Sequence, residues 1–347
     1  MSRILVIGGA GFVGFHVAKR YLSEGHEVHV LDNLSRNGAR ANFATLDRLD
    51  LPHGVRVRFH HVDIRSACDV DDAMARIRPE FIVHEAAQVA VTTSVTNPRL
   101  DFEINAVGTF NVLEATRRYA ADAFFVYAST NKVYGGMEDV AVVEEATRYR
   151  YRDYPHGLDE SRALDFHSPY ACSKGAADQY VHDYARIFGL RTVVFRQSCI
   201  YGTNQFGVED QGWIAWFTIA RVLGKPVTIY GSGKQVRDIL WVDDLVEAYD
   251  RAWKLDKKGE IYNMGGGSEN TLSLLELVAI LDRLQPSPVP LQFGPVRPGD
   301  QPVYIANATK ARRDLDWSPR VQPATGVERL HAWVAANRTE VARVLES

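Results

Sequence analysis

The chain has 347 residues, of which 46% are hydrophobic and 24% charged, and its formal net charge is −3. A chain of this length can bury a large core, so one large domain or two closely joined domains are expected. The slightly acidic balance, without a Lys/Arg block, gives no reason to expect nucleic acid or a membrane surface as a partner.

No signal peptide, membrane anchor or metal site is predicted. The longest apolar run near the start, Ile4 to Ile7, is far shorter than a signal-peptide core, and no stretch reaches the roughly 18 apolar residues of a membrane span. We therefore expect a cytoplasmic protein. The three cysteines, Cys68, Cys172 and Cys199, lack paired spacing, so they are predicted to be reduced thiols. The 11 histidines show no metal-ligand spacing.

Strands and helices are predicted to alternate through the first third of the chain. Strand patterns occur at RILVIGG, EVHVLDN, RVRFHHVD, FIVHEAA and FFVYAST, and helical patterns between them include FVGFHVAKRYLSEG, 70–76 and 101–119. This alternation is typical of right-handed crossovers in a doubly wound parallel sheet. A further strand, RTVVFRQS, follows a helix that begins near Tyr170.

The pattern changes after about residue 202. Short strands such as PVTIYG and QVRDILWV mix with helices predicted at 243–254 and 272–284, and a proline-rich connection spans 286–302. The sequence therefore predicts an α/β protein with a Rossmann-type domain in residues 1–201, joined by parts of 235–265. A smaller mixed α/β region is predicted in 202–347.

A glycine-rich loop, IGGAGFVG, joins the first predicted strand to the first helix. Glycines in such a loop allow a tight turn, bring backbone N–H groups against a pyrophosphate and let the helix pack closely on the sheet. The strand before it and the helix after it are the context of a dinucleotide-binding site. The residues predicted to bind the cofactor here are Gly8, Gly11, Phe12, Val13 and Gly14.

Asp32 ends the second predicted strand, 18 residues after Gly14. A carboxylate here accepts hydrogen bonds from the adenosine ribose and repels a 2′-phosphate, so the sequence favours NAD over NADP. Arg36 weakens that preference, and a strand-end turn is the alternative role of Asp32. The predicted adenosine site is completed by Asn33, Asp63 and Ile64.

Polar residues follow the fourth predicted strand at its carboxyl end, where ligands of open α/β sheets bind. Ala86, Ala87 and Gln88 are predicted to contact the cofactor. Gln88, Thr92 and Ser94 are also candidates for binding sugar hydroxyls. The alternative is that they only satisfy the loop backbone.

The segment SPYACSK places Tyr170 and Lys174 four residues apart, on one face of a predicted helix. Ser168 and Pro169 suit the N-cap and first turn of that helix. An ammonium about 5 Å from a phenol favours the phenolate by roughly 3 kcal/mol, or about two pKa units. Tyr170 is therefore a candidate base for a substrate hydroxyl near neutral pH.

A second pair with the same spacing, Tyr230 and Lys234, is interpreted as incidental. It lies in IYGSGKQ, where two glycines break any helix. The two side chains therefore need not share a face.

The glycine loop, Asp32, YASTNKVYG and YACSK together resemble the extended short-chain dehydrogenases/reductases, the family of NAD-dependent nucleotide-sugar epimerases and dehydratases. The resemblance covers nearly the whole chain. It implies an NAD-binding Rossmann domain, a nucleotide-sugar-binding region mainly in 202–347, and Tyr170 and Lys174 as catalytic residues that also contact NAD. One departure is Ile7, where a threonine often precedes the glycine loop.

The resemblance also implies roles for residues around the fifth strand. Thr130, three residues before the Val-Tyr-Gly triplet, is expected to hydrogen-bond the reacting sugar hydroxyl, and its neighbour Ser129 is expected beside the cofactor. Asn105 matches a helix position of the family that supports the geometry of the cofactor site. Members that eliminate water carry an acidic pair after the threonine. This chain has Asn131, a candidate substrate contact, and Lys132 instead, which disfavours a dehydratase.

Substrate phosphates need fixed cations, and a planar guanidinium suits bidentate phosphate binding. Arg237 and Arg297 lie in the region where the family contacts the diphosphate, and a solvated surface position is the alternative for each. Arg196 and Gln205, near the YGTNQFG loop, are weaker candidates for substrate binding, with structural roles as the alternative.

Longer stretches between Glu85 and Phe217 are similar to one subgroup of the family, the CDP-sugar 2-epimerases of carbohydrate biosynthesis. These stretches are HEAAQVAVTTS, STNKVYG, EEATRYRYRD, HSPYACSKGAADQYV and RQSCIYGTNQFGVEDQGWIAWF. The resemblance implies an isomerase that inverts C2 of a CDP-linked sugar, through a transient 2-keto sugar and re-reduction on the other face. CDP-paratose to CDP-tyvelose and CDP-glucose to CDP-mannose are the expected conversions.

Two other functions stay open on the sequence. One is a 4-epimerase of a UDP-linked or other nucleotide-linked sugar, which would use the same three catalytic residues. The other is a non-catalytic NAD-sensing protein. The resemblance further implies a homodimer or homotetramer, assembled through the helix after Tyr170 and the helix around Asn111.

Overall fold

The computed structural model describes residues 1–51, 55–285, 291–296 and 301–346. The chain forms two compact units: unit 1 is Met1–Val133, Ser168–Arg196 and Val246–Tyr262, and unit 2 is Tyr134–His167, Gln197–Leu245 and Asn263–Ser347. Residues 134–167 were predicted within the first domain but belong to unit 2. The reason is their backbone hydrogen bonding, since Tyr149 N donates to Lys234 O at 2.8 Å and Leu158 N to Ile305 O at 2.9 Å.

The secondary structure contains short strands and mostly longer helices. The strands are β1 (Arg3–Ile7), β2 (Glu27–Asp32), β3 (Arg58–His61), β4 (Phe81–His84), β5 (Phe124–Thr130), β6 (Val142–Glu144), β7 (Tyr149–Tyr151), β8 (Arg191–Gln197), β9 (Cys199–Tyr201), β10 (Val227–Tyr230), β11 (Val236–Trp241), β12 (Glu260–Met264), β13 (Thr271–Ser273), β14 (Leu291–Gly294) and β15 (Val303–Tyr304). The α-helices are α1 (Phe12–Ser23), α2 (Ala39–Asp47), α3 (Ala67–Ile77), α4 (Val91–Thr96), α5 (Pro98–Phe102), α6 (Thr109–Tyr119), α7 (Pro169–Phe188), α8 (Trp213–Leu223), α9 (Val242–Lys254), α10 (Leu274–Leu284), α11 (Thr309–Leu315), α12 (Pro323–Ala336) and α13 (Arg338–Glu346). A π-helix spans Glu103–Gly108 and a 3₁₀ helix Asn131–Tyr134.

Unit 1 is built on a seven-stranded sheet in the order β3-β2-β1-β4-β5-β8-β12. β1 pairs in parallel with both β2 and β4, β2 pairs in parallel with β3, and β4 pairs in parallel with β5. The strand order reverses between β1 and β4, and this point is where open α/β sheets bind ligands, beyond the carboxyl ends of the strands. The predicted Rossmann-type fold is confirmed.

Helices cover both faces of this sheet, because successive residues of a strand point to opposite faces. On one face, Ile82 belongs to a buried cluster that includes Met74 of α3 and Val181 of α7. On the other face, Phe81 packs against Tyr21 of α1 with ring centroids 5.6 Å apart and stacks on Trp253 of α9 at 4.4 Å. Burial on both faces explains why the strands read as nearly continuous apolar runs.

The helix predicted over 101–119 is interrupted. The structure has α5, then the π-helix Glu103–Gly108, then α6. A π-helical turn holds more residues than an α-helical turn, and such turns are frequent at functional sites. Gly108 allows this segment to pack closely, since a Cβ on Gly108 would lie 2.6 Å from Cδ1 of Ile64.

Unit 2 contains smaller sheets. One has the order β13-β11-β15 with β9 also paired to β11, and the other two are β10–β14 and β6–β7. Its apolar core joins Phe217 of α8, Leu277 of α10 and Leu330 of α12. The helix predicted from residue 272 begins at Leu274, because Ser273 and Glu276 form a capping box. Parts of the proline-rich connection, 286–290 and 297–300, lie outside the described residues.

Two features are absent from the described residues. No helix in these ranges is long and apolar enough to cross a membrane. In the same part of the chain, no group of three or more His, Cys, Asp or Glu side chains could hold a metal ion.

Candidate active site

The glycine loop after β1 packs tightly against its surroundings. A Cβ on Gly14 would lie 2.2 Å from the carbonyl oxygen of Gly8, and a Cβ on Gly8 would lie 2.5 Å from the backbone nitrogen of Ala86. Neither position therefore accepts a larger residue. Gly11 caps α1 without a side-chain hydrogen bond, which is the arrangement that lets a helix N-terminus receive a phosphate. The loop and the turn after β4 thus bring together Gly8, Gly11, Phe12, Val13, Gly14, Ala86 and Ala87.

Asp32 is held at the carboxyl end of β2, beside the glycine loop. Its Oδ2 accepts a hydrogen bond from Ala10 N at 3.0 Å and its Oδ1 one from Leu34 N at 2.7 Å. Burial raises the pKa of this carboxyl, and the backbone hydrogen bonds act in the opposite direction. The carboxylate therefore has a fixed orientation at the position predicted for the acceptor of the adenosine ribose.

A second polar cluster follows β3. Nδ2 of Asn33 donates to Oδ2 of Asp63 at 3.0 Å, and Arg65 forms an ion pair with the same carboxylate at 2.8 Å. The hydrogen bond from Arg65 is the main reason that the pKa of Asp63 falls to about 2. Ile64 is buried and packs under Gly108. The contact of Asp63 and Ile64 with an adenine stays a prediction.

The structure brings Tyr170 and Thr130 together. Ser168 caps α7, since its Oγ accepts a hydrogen bond from Ala171 N at 3.1 Å, and this places Tyr170 in the first turn as predicted. The buried phenol lies close to Thr130, the last residue of β5, whose side chain lowers the pKa of Tyr170. Oγ1 of Thr130 also contacts Oδ1 of Asn131 at 3.4 Å. A phenol and two smaller polar groups therefore meet at the carboxyl end of β5.

Lys174 lies one turn further along α7 and its side chain is buried. Its Nζ donates to the carbonyl oxygen of Ala128 at 2.5 Å and lies 4.3 Å from the centroid of the Tyr127 ring. Burial lowers the pKa of Lys174 to about 8, although nearby carboxylates, led by Glu85, act in the opposite direction. The ammonium is therefore charged at neutral pH and fixed against β5.

The protein's own residues raise the pKa of Tyr170, and its role as a base stays a prediction. Burial raises the pKa of Tyr170 to about 12, the side chain of Thr130 lowers it, Asp101 raises it and Arg36 lowers it. Desolvation of the phenolate thus outweighs the favourable contacts. A positive charge added beside the phenol would lower this pKa.

The turn after β4 holds Gln88, Thr92 and Ser94. The backbone N–H of Gln88 donates to Oδ1 of Asn105 at 2.9 Å, and its side-chain Nε2 donates to Oδ1 of Asp101 at 2.7 Å. The buried Ser94 donates to a backbone carbonyl of α4 at 2.7 Å. Thr92 is exposed. For Gln88 and Ser94 the contacts favour the alternative role, ordering of the loop.

Ser129, Asp178 and Arg196 form a buried cluster. Arg196 donates to both carboxylate oxygens of Asp178, at 3.0 and 2.9 Å, and Oγ of Ser129 donates to Oδ2 at 2.6 Å. The side chains of Arg196 and Asp178 are 4% and 0% exposed. This geometry favours the structural role of Arg196 over substrate binding. The cluster ties β5 and β8 to α7.

Two of the remaining substrate candidates lie in unit 2. Oε1 of Gln205 is a buried acceptor with no hydrogen-bond partner in the described part of the chain, so it is available to a donor from water or a ligand. Nη1 of Arg237 donates to the carbonyl oxygens of Val236 and Gln301 at 2.8 and 2.7 Å, which orients its guanidinium. Arg297 lies outside the described residues.

The second Tyr-Lys pair has separate partners. Tyr230 donates to Glu209 at 2.7 Å, whereas Lys234 donates to Glu144 at 2.6 Å. The glycine between them at 231 has a φ of 80°. A turn therefore separates the two side chains, and the pair does not resemble the arrangement on α7.

Three buried residues next to the site were not predicted: Asp101, Ser173 and Asp178. Asp101 lies four residues before Asn105, and Asp178 lies four residues after Lys174. At helical spacing each carboxylate therefore shares a helix face with a predicted site residue. The signal that could have identified Asp101 and Asp178 in the sequence is a polar residue on an otherwise apolar helix face. Their partners come from distant segments, which spacing does not reveal.

Known proteins are similar in sequence to this chain over nearly its whole length. A model of the family described as GDP-mannose 4,6 dehydratase matches residues 5–330. A CDP-paratose 2-epimerase of Salmonella typhi is 46% identical over 341 residues, covering 96% of this chain and 99% of that protein. A dTDP-glucose 4,6-dehydratase of Salmonella typhimurium is 30% identical, covering 96% and 93%.

Solved structures share its fold. A UDP-glucose 4-epimerase of Thermus thermophilus in complex with NAD has a TM-score of 0.79 and 33% identity, covering 95% of this chain and 98% of that one. The dTDP-glucose 4,6-dehydratase DesIV of Streptomyces venezuelae, with NAD and TYD bound, has a TM-score of 0.83 and 29% identity, with 99% of both chains covered.

The Rossmann-type sheet, the glycine loop and the Tyr-Lys pair on α7 define the class of this protein, the extended short-chain dehydrogenases/reductases. Within that class, the chain belongs to the GDP-mannose 4,6-dehydratase family, whose members named above include both epimerases and dehydratases.

Proposed function

We propose that this chain is an NAD-dependent epimerase that inverts C2 of a CDP-linked sugar. The observation that carries the proposal is the meeting of Tyr170 and Thr130 at the carboxyl end of β5, with the Lys174 ammonium one turn away. The 46% identity to a CDP-paratose 2-epimerase over 96% of the chain supports the CDP-linked substrate and the C2 position.

The residues of unit 1 fit NAD. The closely packed glycine loop leaves room for a pyrophosphate at the start of α1, and the carboxylate of Asp32 suits a ribose diol but repels a 2′-phosphate. The positive charge of an oxidised nicotinamide beside Tyr170 would lower the pKa of the phenol. When bound, NAD supplies a reversible hydride acceptor, which inversion of a carbon beside a hydroxyl requires.

The chain's own residues transfer the proton and orient the sugar hydroxyl. Thr130 orients the C2 hydroxyl, and the Tyr170 phenolate removes its proton as the carbon is oxidised to a ketone. Lys174 holds the nicotinamide ribose and adds positive charge to the site. After the sugar presents its other face, Tyr170 returns the proton as the ketone is reduced. The cycle consumes no external oxidant, and Asn131 and Lys132 offer no acidic pair for dehydration.

The diphosphate and the sugar need further contacts. Gln205, with its unpartnered buried oxygen, and Arg237, with its oriented guanidinium, are the proposed substrate contacts of unit 2. Arg297 is retained as a proposed phosphate ligand from its sequence position alone.

A 4-epimerase is the second candidate, favoured by the fold match to a UDP-glucose 4-epimerase. The purified protein is incubated with CDP-paratose, CDP-glucose and UDP-glucose, and the C2 and C4 protons of each sugar are followed by NMR. We expect a new C2 epimer of a CDP-sugar. A C4 epimer of UDP-glucose would support the second candidate, and NAD binding without any turnover would contradict both.

We also propose that the protein is cytoplasmic and works as a homodimer or a pair of dimers. Unit 1 exposes apolar side chains on neighbouring helices: Phe110 of α6 is 42% exposed, and Tyr180 and Ile187 of α7 are 53% and 67% exposed. Phe110 and Tyr180 form an edge-to-face pair with ring centroids 5.8 Å apart. A second copy of the same face would bury this apolar surface.

A further inference from the structure

A buried carboxylate beside the site has no role in the mechanism above. Asp101 of α5 is 0% exposed. Its Oδ1 accepts hydrogen bonds from Nε2 of Gln88 at 2.7 Å and from Nδ2 of Asn105 at 3.1 Å, and its Oδ2 accepts one from Oγ of Ser173. The three donors belong to three different segments: the turn after β4, the π-helix and α7.

Ser173 connects this carboxylate to the catalytic helix. It lies between Tyr170 and Lys174 in the chain, and its Oγ is 3.1 Å from the carbonyl oxygen of Tyr170. Nδ2 of Asn105 also donates to Oγ of Ser173 at 3.1 Å. The first turns of α7 are therefore fixed to the π-helix through a network that converges on Asp101.

The network is built around an acceptor with two oxygens. An amide at this position would keep Oδ1 for Gln88 and Asn105 and would turn its N–H group toward Oγ of Ser173, which reverses the direction of that hydrogen bond because a hydroxyl can also accept. Replacement of Asp101 by asparagine therefore changes both the hydrogen bonding and the charge, while the size stays the same.

The charge of Asp101 also acts on the two catalytic residues. It raises the pKa of Tyr170, against the effect of Arg36 from the loop after β2. It raises the pKa of Lys174 as well, together with Glu85 after β4 and Asp178 on α7. The carboxylate thus favours a protonated phenol and a charged ammonium.

We infer that Asp101 is a positioning residue, whose buried carboxylate fixes α7 against the turn after β4 and sets the charge balance of Tyr170 and Lys174. The inference deepens the proposed function and rests on it for the role of Tyr170 as a base. The π-helix serves the same purpose, because it directs Asn105 into the network.

The test compares two variants in the NAD-loaded protein. Asp101→Asn removes the charge, whereas Ser173→Ala breaks the link to α7 and keeps the charge. The ionisation of Tyr170 is followed by NMR of the tyrosine ring carbon that bears the oxygen, and its resonance is assigned by its loss in Tyr170→Phe. Asp72→Asn, at an exposed carboxylate of α3, is the matched control.

We expect Asp101→Asn to lower the pKa of Tyr170 by about one unit, and Ser173→Ala and the control to leave it within a few tenths. We expect kcat to fall roughly tenfold in Ser173→Ala, with little change in KM, because α7 loses its link to the carboxylate. An unchanged pKa of Tyr170 in Asp101→Asn would overturn the inference. An equal change of this pKa in Ser173→Ala would overturn it as well.

If Asp101→Asn does not fold, the kcat of Ser173→Ala tests the inference by itself. A wild-type kcat in that variant would overturn the inference. The phenol titration needs no sugar substrate. Lack of turnover on every CDP-sugar, with the expected shift in Asp101→Asn, would therefore refute the proposed function and leave the positioning role intact.

Discussion

Tyr170 combines a buried phenol with a helix start that fixes its position. Its pKa of about 12 means that the protein alone keeps the phenol protonated near neutral pH. Ionisation then depends on a charge that arrives with a ligand. In the proposed reaction, proton removal by Tyr170 would thereby be coupled to the presence of the cofactor that accepts the hydride.

Tyr170→Phe tests this role directly. We expect turnover to fall roughly 100- to 10,000-fold, which is the usual contribution of a general base, while NAD binding stays close to wild type. Turnover is measured by NMR of the sugar and NAD binding by calorimetry. Tyr119→Phe, at a partly exposed phenol of α6, should behave as wild type. Turnover within about threefold of wild type in Tyr170→Phe would reject the assignment.

For individual residues, the sequence predicted those features that depend only on neighbours in the chain. The Tyr170–Lys174 spacing and the N-cap at Ser168 depend on one helix, and both appear in the structure. The raised pKa of Tyr170 was missed because burial is a property of the packed molecule. Asp101 was missed because two of its three partners, Gln88 and Ser173, are distant from it in the sequence.

Among the secondary-structure elements, α7 depends on its first turn. Ser168→Ala removes the side-chain acceptor for Ala171 N and should lower the free energy of unfolding by about 1 kcal/mol. Ser168→Asp keeps an acceptor and should restore most of that loss. Urea denaturation monitored by circular dichroism gives the comparison. An alanine variant as stable as wild type would show that the cap contributes nothing.

Strand β11 carries a second buried carboxylate, in unit 2. Asp238 accepts hydrogen bonds from Oγ of Ser198 and, at 3.2 Å, from Gly267 N. Burial raises its pKa from 3.8 to about 7 in spite of these donors. A carboxyl with a raised folded-state pKa stabilises the fold fully below its unfolded value, and this contribution is lost as pH rises through about 7.

Asp238→Asn should therefore alter the pH dependence of stability. We expect the unfolding free energy of wild type, relative to the variant, to decrease between about pH 4 and pH 7. Denaturant titrations at several pH values provide the measurement. Asp72→Asn, at an exposed carboxylate, should show a difference that is nearly independent of pH. A constant difference for Asp238→Asn would contradict the assigned pKa.

The limits of sequence reasoning are clear from two other elements. The strands of the central sheet were recognised because each is a short apolar run between turn signals, and the parallel arrangement followed from the alternation with helices. The π-helix was not recognised, because 101–119 has a continuous helical pattern and the close approach of Gly108 to Ile64 involves residues distant in sequence. The short strand β13 was read as the start of α10 because its pairing with β11 involves residues distant in sequence.

For the whole molecule, the proposed dimer makes the apolar face of α6 and α7 the feature to test. The double variant Phe110→Glu/Tyr180→Glu places two charges on that face and should shift the protein to a monomer in light scattering after size exclusion. Val142→Glu, at an exposed apolar residue of unit 2, should leave the assembly unchanged. A wild-type protein that runs as a monomer would reject the proposal.

The path of the chain between the two units has a consequence for biosynthesis. The polypeptide passes from one unit to the other five times, at residues 133, 167, 196, 245 and 262. Neither unit is a continuous stretch: unit 1 is complete only when residue 262 has been made, and by then unit 2 has begun at residue 134 and still lacks its last segment. The edge strand β12 is made after about three quarters of the message has been read, and until then β8 is an open edge that can pair with another nascent chain.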